Sequence, residues 1–257
     1  MKRKLAVQLY SMRAEVAKDG MDSVLRTLAE IGFLAVEPAG FGDLTITEFV
    51  DACKKYDLEI CSAHGAPLKG DSIQEAVDFA GTLGLKSLCC GYGPNDFKDI
   101  DAIKATADKT CTILQKLASA GLGLYQHNHY WEFDILNGQL KYDLYIERCP
   151  QIMFQLDAFW SANFGANDAV AMARHYAGRI VSLHMKDGVF PPVPADRKVD
   201  LRPLGEGQLD IPGICAVVPD SVGHIIVELD SAPIDMTEAL RRSYTYLINA
   251  GLGLGRS

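Results

Sequence analysis

Ile152-Met153-Phe154-Gln155-Leu156-Asp157 reads as a short apolar strand that runs straight into a carboxylate. A charge in that place is costly unless it is paired or holds a metal ion. The figure recurs along the chain. A strand at 180–183 runs into His184, with Lys186 and Asp187 next, and a strand at 224–229 carries Glu228, with Asp230 next. Upstream, a strand at 122–126 opens into His127-Asn128-His129-Tyr130-Trp131-Glu132. Earlier strands are read at 5–10, 33–37, 58–63 and 87–90. The second of these ends at Glu37, and the third is followed by His64.

Amphipathic runs separate the strands. The spacing of Val24, Leu25, Leu28 and Ile31 predicts a helix over 21–31, stopped by Gly32. Further helices are expected at 47–56 with Thr47 as N-cap, 72–83, 102–120, 166–176 and 236–250. The segments after the fifth and seventh strands look more like loops. Residues 185–211, rich in Pro and Gly, read as a long active-site loop. Eight strands alternating with helices are parallel, and eight repeats in 257 residues favour a closed (β/α)8 barrel of one domain, 1–257. A doubly wound sheet is the alternative.

In such a barrel the strand ends converge on one mouth. A set of Glu, Asp, His and Glu meeting there suits one divalent ion: Mn, Mg, Co or Zn. The bland readings stand beside this one. Glu37 could cap a helix and His64 could be a core histidine. His175 and the methionines read as packing, and the Asp-rich run 96–101 reads as a solvated helix start.

Composition narrows the class. Nearly half the residues are apolar (48%), which is ample for a core. A formal net charge of −8 leaves no basic stripe for nucleic acid. Seven cysteines without a CxxC pair favour reduced thiols over a disulfide framework. No apolar run reaches membrane-span length and no signal-type core follows the basic start, so a cytoplasmic protein is expected. A small sugar or polyol is the expected partner, with neither nucleic acid nor membrane; a homo-oligomer is left open.

At these residues the sequence resembles the sugar phosphate isomerase/epimerase family, with the xylose isomerase-like TIM barrel. The stretches that carry the resemblance are Val7-Gln8-Leu9-Tyr10-Ser11-Met12-Arg13, Gly32 to Glu37, and His127-Asn128-His129-Tyr130-Trp131-Glu132-Phe133. They continue through Leu156-Asp157-Ala158-Phe159-Trp160, Gly178 to Asp187, Gly205-Glu206-Gly207 and Val227-Glu228-Leu229-Asp230. The third resembles the HNHxxEF run of one subgroup. The resemblance implies metal ligands Glu132, Asp157, His184 and Glu228, with His127 or His129 as alternatives for the first. It implies Glu132, Glu228, His127 and His129 as catalytic groups. Gln8, Tyr10, Glu37, His64, Trp160, Lys186 and Asp230 would bind substrate.

The implied chemistry is proton removal beside a carbonyl, where a divalent ion stabilises the charge that builds on oxygen. A sugar isomerase or epimerase is the first reading. The subgroup departs from epimerases in carrying His127 where their fifth strand carries a glutamate. That makes a lyase or hydratase on a 3-keto-glycoside or keto-inositol the runner-up. A DNA repair endonuclease on the same barrel would need more histidines than six and a basic face. A non-catalytic binding barrel is the remaining rival.

Overall fold

The computed structural model describes residues 2–68 and 73–256. Among the described residues eight parallel strands alternate with helices, and a short ninth, Gly253–Leu254, pairs with the first; two further helices, Arg13–Asp19 and Ala158–Ser161, each precede one of the eight named below. The strands are β1 (Arg3–Gln8), β2 (Ala35–Glu37), β3 (Glu59–Ile60), β4 (Ser87–Cys90), β5 (Gly123–His127), β6 (Met153–Asp157), β7 (Ile180–Met185) and β8 (His224–Val227). The helices between and after them are α1 (Met21–Ile31), α2 (Ile46–Lys55), α3 (Gln74–Leu83), α4 (Ile100–Ser119), α5 (Lys141–Arg148), α6 (Ala169–His175), α7 (Ile211–Val217) and α8 (Met236–Asn249). Ladders join the strands in the order β3-β2-β1-β8-β7-β6-β5-β4. This is the TIM barrel expected. Among the described residues no ladder joins β3 to β4, so the ring has a seam there. No described helix is long and apolar enough to cross a membrane.

The strands have two different faces. Leu5, Val7, Val36, Leu88, Phe154, Leu156, Leu183, Ile225 and Val227 join one large core between strands and helices. The opposite face is small at one end, where Ala6, Ala35 and Ile226 pack together inside the ring. Register puts Ala6 beside both Ala35 and Ile226. A period of two residues therefore carries each interior row from small apolar groups to polar ones at the C-terminal end.

Local signals explain most boundaries. Gly32 ends α1 at φ +121°, and a Cβ there would lie 2.3 Å from Tyr244 Oη, so only glycine fits. Asp99 accepts the Ala102 N–H at 2.9 Å and caps α4, as the Asp-rich run implied. All seven cysteines are free thiols.

Four expectations need correction. Thr45, not Thr47, caps α2, through a reciprocal box with Glu48. Helices do follow β5 and β7. Helix α5 has eight residues and fully buries only Tyr142 and Tyr145, with Leu144 and Ile146 partly buried, a short apolar signal. Helix α7 carries Pro212 in its first turn, where proline is tolerated. Residues 185–211 hold an antiparallel hairpin, Asp187–Val189 with Asp200–Arg202. His175 is exposed and lies 3.2 Å from Asp143 instead of packing. The expected start of α3 at Ser72 lies outside the described residues.

Thr45→Ala should cost about 1 kcal/mol by loss of the cap. Thr47→Ala, on the exposed face of α2, should stay within roughly 0.5 kcal/mol. Urea unfolding of both variants checks the assignment, and the reverse order would refute it.

Candidate active site and metal centre

The interior rows supply the site. On β6, Gln155 and Asp157 share the inward face; on β7, Ser182 and His184 follow the same alternation, and Lys186 continues it. Asp157 and His184 are neighbours in register. So are Gln8 and Glu37 across β1 and β2. None of Gln8, Glu37, Gln155, Asp157 or His184 exposes any surface, and Lys186 is 1% exposed.

Buried charge of this density survives only by alternation. Glu37 Oε1 lies 2.6 Å from His184 Nε2, and His184 Nδ1 lies 2.7 Å from Glu228 Oε2. Lys186 Nζ donates to that same Glu228 oxygen and, at 2.5 Å, to Asp157 Oδ2. Asp230 Oδ2 is 3.9 Å from the ammonium. Burial opposes every one of these charges, and the neighbours overrule it in most. Against burial, His184 and His64 hold Glu37 down at about 2. Glu37 and Glu228 lift His184 to about 10. Lys186 and His184 keep Glu228 well below the usual carboxylate range. For Asp157 burial wins: its pKa is raised, although Lys186 pulls the other way.

The imidazoles on the cavity wall behave differently. Burial, then the charge of His184, holds His127 well below its ordinary value. Burial and Lys186 take His129 to about 4, so both stay neutral near pH 7. Gln155 fixes their neighbours. Its Oε1 lies 2.7 Å from His64 Nε2 and 3.1 Å from His127 Nδ1, while its Nε2 donates to Glu37 Oε2 at 2.6 Å. With Nδ1–H of His127 given to that amide oxygen, Nε2 keeps its lone pair for the site.

His127, Asp157, His184 and Glu228 each offer a ligand atom, and these atoms all lie within 4.8 Å of one another. Two imidazoles and two carboxylates form a donor set that fits a divalent ion such as Zn, Mn or Co. Glu37 then stands behind His184 as the acceptor that orients a ligating imidazole. The field that keeps a proton on His184 is one that a divalent cation would relieve by displacing that proton. Above the set lies a cavity of about 380 Å³ lined by His64, His129, Glu228 and Asp230, with Cys89, Cys90 and Gly91 of the β4 end.

A family model described as "Xylose isomerase-like TIM barrel" matches residues 25–249. The chain belongs to the xylose isomerase-like TIM barrel family. Solved structures agree on the fold. A sugar phosphate isomerase/epimerase from Parabacteroides distasonis superposes with a TM-score of 0.77 at 22% identity, covering 99% of this chain and 96% of that one. A probable 3-DHS dehydratase from Bacillus anthracis gives 0.72 at 15%, covering 96% and 99%. An IOLI protein with a bound zinc atom gives 0.72 at 15%, covering 96% and 97%. No curated protein sequence matches the chain significantly.

Within this xylose isomerase-like barrel the expected residues fall into three groups. Asp157, His184 and Glu228 converge as read from the sequence. Glu132 does not join them: its carboxylate is fully buried and accepts the His129 N–H at 2.9 Å and Gln126 Nε2 at 3.2 Å. His127 takes that corner, because β5 ends on it and Glu132 sits in the turn beyond. Of the expected substrate binders, Tyr10, His64 and Asp230 line the cavity. Gln8 and Glu37 lie beneath it, bonded to each other at 2.6 Å. Lys186 is enclosed by carboxylates, and Trp160 packs against Tyr130 and Phe164.

Gln155 was missed, although its place two residues before Asp157 marks the same inward face. Asn128 was missed too; its Oδ1 accepts the Asp157 N–H at 2.9 Å and so holds the backbone that carries this carboxylate. The role of Asp187 also emerges only here. Its carboxylate accepts the N–H groups of Gly188, Gly205, Gly207 and Leu209 at 2.8 to 3.0 Å. A Cβ on Gly207 would lie 2.1 Å from Asp187 Oδ1, which accounts for the Gly205-Glu206-Gly207 run.

Gln155→Leu should leave the barrel folded yet weaken divalent-ion binding by roughly 10- to 100-fold, since second-sphere partners carry that much. Isothermal titration with Zn and Mn reads it, and unchanged affinity would refute the orienting role. Burial raises Glu132 to about 8 from an ordinary 4.5. The folded state thus binds its proton more tightly than the unfolded one, so its contribution is intact below about pH 4.5 and is lost as pH rises through 8. Glu132→Gln should flatten the fall in unfolding free energy between pH 5 and 8 by a few kcal/mol. A slope identical to that of the parent chain would sink this.

Proposed function

We propose that the chain is a divalent-metal-dependent sugar isomerase or epimerase, moving a proton on carbon beside a carbonyl of a small sugar or polyol. The observation that supports it most is the group His127, Asp157, His184 and Glu228, gathered at the strand ends beneath a cavity. These four would hold the ion. When bound, it would supply Lewis-acid stabilisation of charge on the substrate's oxygens.

The protein's own groups divide the proton handling. Glu228, gripped by Lys186 and His184, is a poor base and serves better as a ligand. His129 is neutral and lines the cavity. It is the better group to take a proton from carbon. Once protonated, His129 is also the group to return one, since His127 would hold the ion and Lys186 is locked between Asp157 and Glu228. Return to the neighbouring carbon gives isomerisation; return to the other face of the same carbon, which gives epimerisation, needs a second donor across the cavity.

A lyase is the second reading, favoured by His127. A neutral imidazole in that corner takes the place where a second carboxylate base would serve an epimerase, so the second proton transfer of a two-base epimerisation has no carboxylate to perform it. A binding module without chemistry would show neither metal dependence nor exchange.

His129→Gln should lower deuterium exchange into ketoses, keto-inositols or 3-keto-glycosides by about 10²- to 10⁴-fold with metal content unchanged. Glu228→Gln should lose both metal and turnover. Proton NMR in deuterated water, with Zn, Mn, Mg or Co added, follows the exchange and tells a shifted hydroxyl from an eliminated group. Full activity in either variant would overturn its assignment, and an active metal-free protein would overturn the whole reading.

A further inference from the structure

A second cavity, of about 480 Å³, opens beside the reaction cavity. The two share Tyr10 and Ala39 as walls. Their chemistry differs sharply. The reaction cavity is lined by imidazoles and carboxylates; the neighbour is walled by Leu9, Tyr10, Val16, Ala17, Met21 and Ala39. Its two charged groups are already engaged. Asp43 Oδ1 accepts the Met21 N–H at 2.8 Å. Arg13 stacks 4.4 Å over the Tyr10 ring and donates to the backbone oxygens of Tyr10 and Asp230 at 2.9 and 2.8 Å. Asp230 lines the reaction cavity, so this contact also ties the two compartments together. Gly40 leaves the wall open, since a Cβ there would meet nothing within 4 Å.

A bare sugar carries a hydroxyl on nearly every carbon. Laid along these walls it would strand those hydroxyls against groups that return no hydrogen bond. An aromatic or alkyl group has the opposite need and can stack on the Tyr10–Arg13 slab. We infer that this groove is a subsite for an apolar aglycone, so that the substrate is a glycoside or similarly substituted sugar, with its polar ring over the metal set and its apolar substituent beside Tyr10. The inference rests on the proton-transfer reading for the identity of the reaction cavity. Its own basis is the shared wall and the contrast in polarity. The wall shared with the reaction cavity favours a substrate group over a second copy of the chain.

Binding is the test, because it can be read without turnover. Methyl and phenyl glycosides of glucose, galactose and xylose are titrated in pairs by calorimetry and ligand-observed NMR, with Zn or Mn present. At least one phenyl member should bind at least about tenfold more tightly than its methyl partner, a conservative share of the area buried. Ala17→Trp, at an exposed helix position, should fill the groove and bring the pair to within about twofold, at an unchanged melting temperature. Val16→Asn offers a second route should the tryptophan disturb folding. Equal affinities, no phenyl glycoside bound at millimolar concentration, or a preference that survives both variants would overturn the subsite. So would a concentration-dependent dimer that Ala17→Trp abolishes, since the groove would then be an interface. A phenyl preference without any deuterium exchange would sink the proton-transfer reading and leave the subsite standing; exchange without the preference would do the reverse.

Discussion

Five side chains alternate in charge through the interior of the barrel: Glu37, His184, Glu228, Lys186 and Asp157. Each is separated from the next by one short hydrogen bond. None could be buried alone, because the desolvation cost of a lone charge exceeds what one domain can spare. In the alternation every charge has an opposite neighbour, and removal of any member leaves its neighbours uncompensated. The strand ends are thereby bound to one arrangement. Glu37 comes from β2, Asp157 from β6, His184 from β7 and Glu228 follows β8, so the chain of charge also fastens opposite sides of the ring.

Around it lies a layer of groups whose task is orientation. Gln155 receives two imidazoles and gives its amide to Glu37 and Ser182. Asn128 holds the backbone of Asp157, and Asp187 gathers four N–H groups of the loop after β7. The C-terminal end of the barrel is thus tied by hydrogen bonds where His127, Asp157, His184 and Glu228 meet. The cavity lies above this layer, walled in part by His64 after β3 and by Cys89, Cys90 and Gly91 at the end of β4. The small interior at the other end, of Ala6, Ala35 and Ile226, packs the ring without charge.

Much of this was legible beforehand. Asp157, His184 and Glu228 announced themselves because a polar group ending an apolar strand is expensive, and three such endings in one parallel array must converge. Glu132 stands apart from them because chain proximity to β5 says nothing of which side chain clears the turn. The strand ends on His127, whose ring reaches the other three groups, while the next residues fold Glu132 back onto the His129 backbone. Helices α5 and α7 escaped detection for local reasons. One is short and fully buries only two tyrosines, and the other places a proline where proline is harmless.

By itself, the sequence determined the period: eight strands, their helices, and the residue type at each strand end, all consequences of local spacing and of the cost of isolated charge. Only the tertiary structure decided which of those groups touch. Whether Glu37 meets substrate or His184, whether His127 or Glu132 completes the metal set, and whether an apolar groove adjoins the cavity depend on strand register and on how each loop turns. Those are contacts between residues far apart in sequence, and no local pattern encodes a distance of a few ångströms across a closed ring.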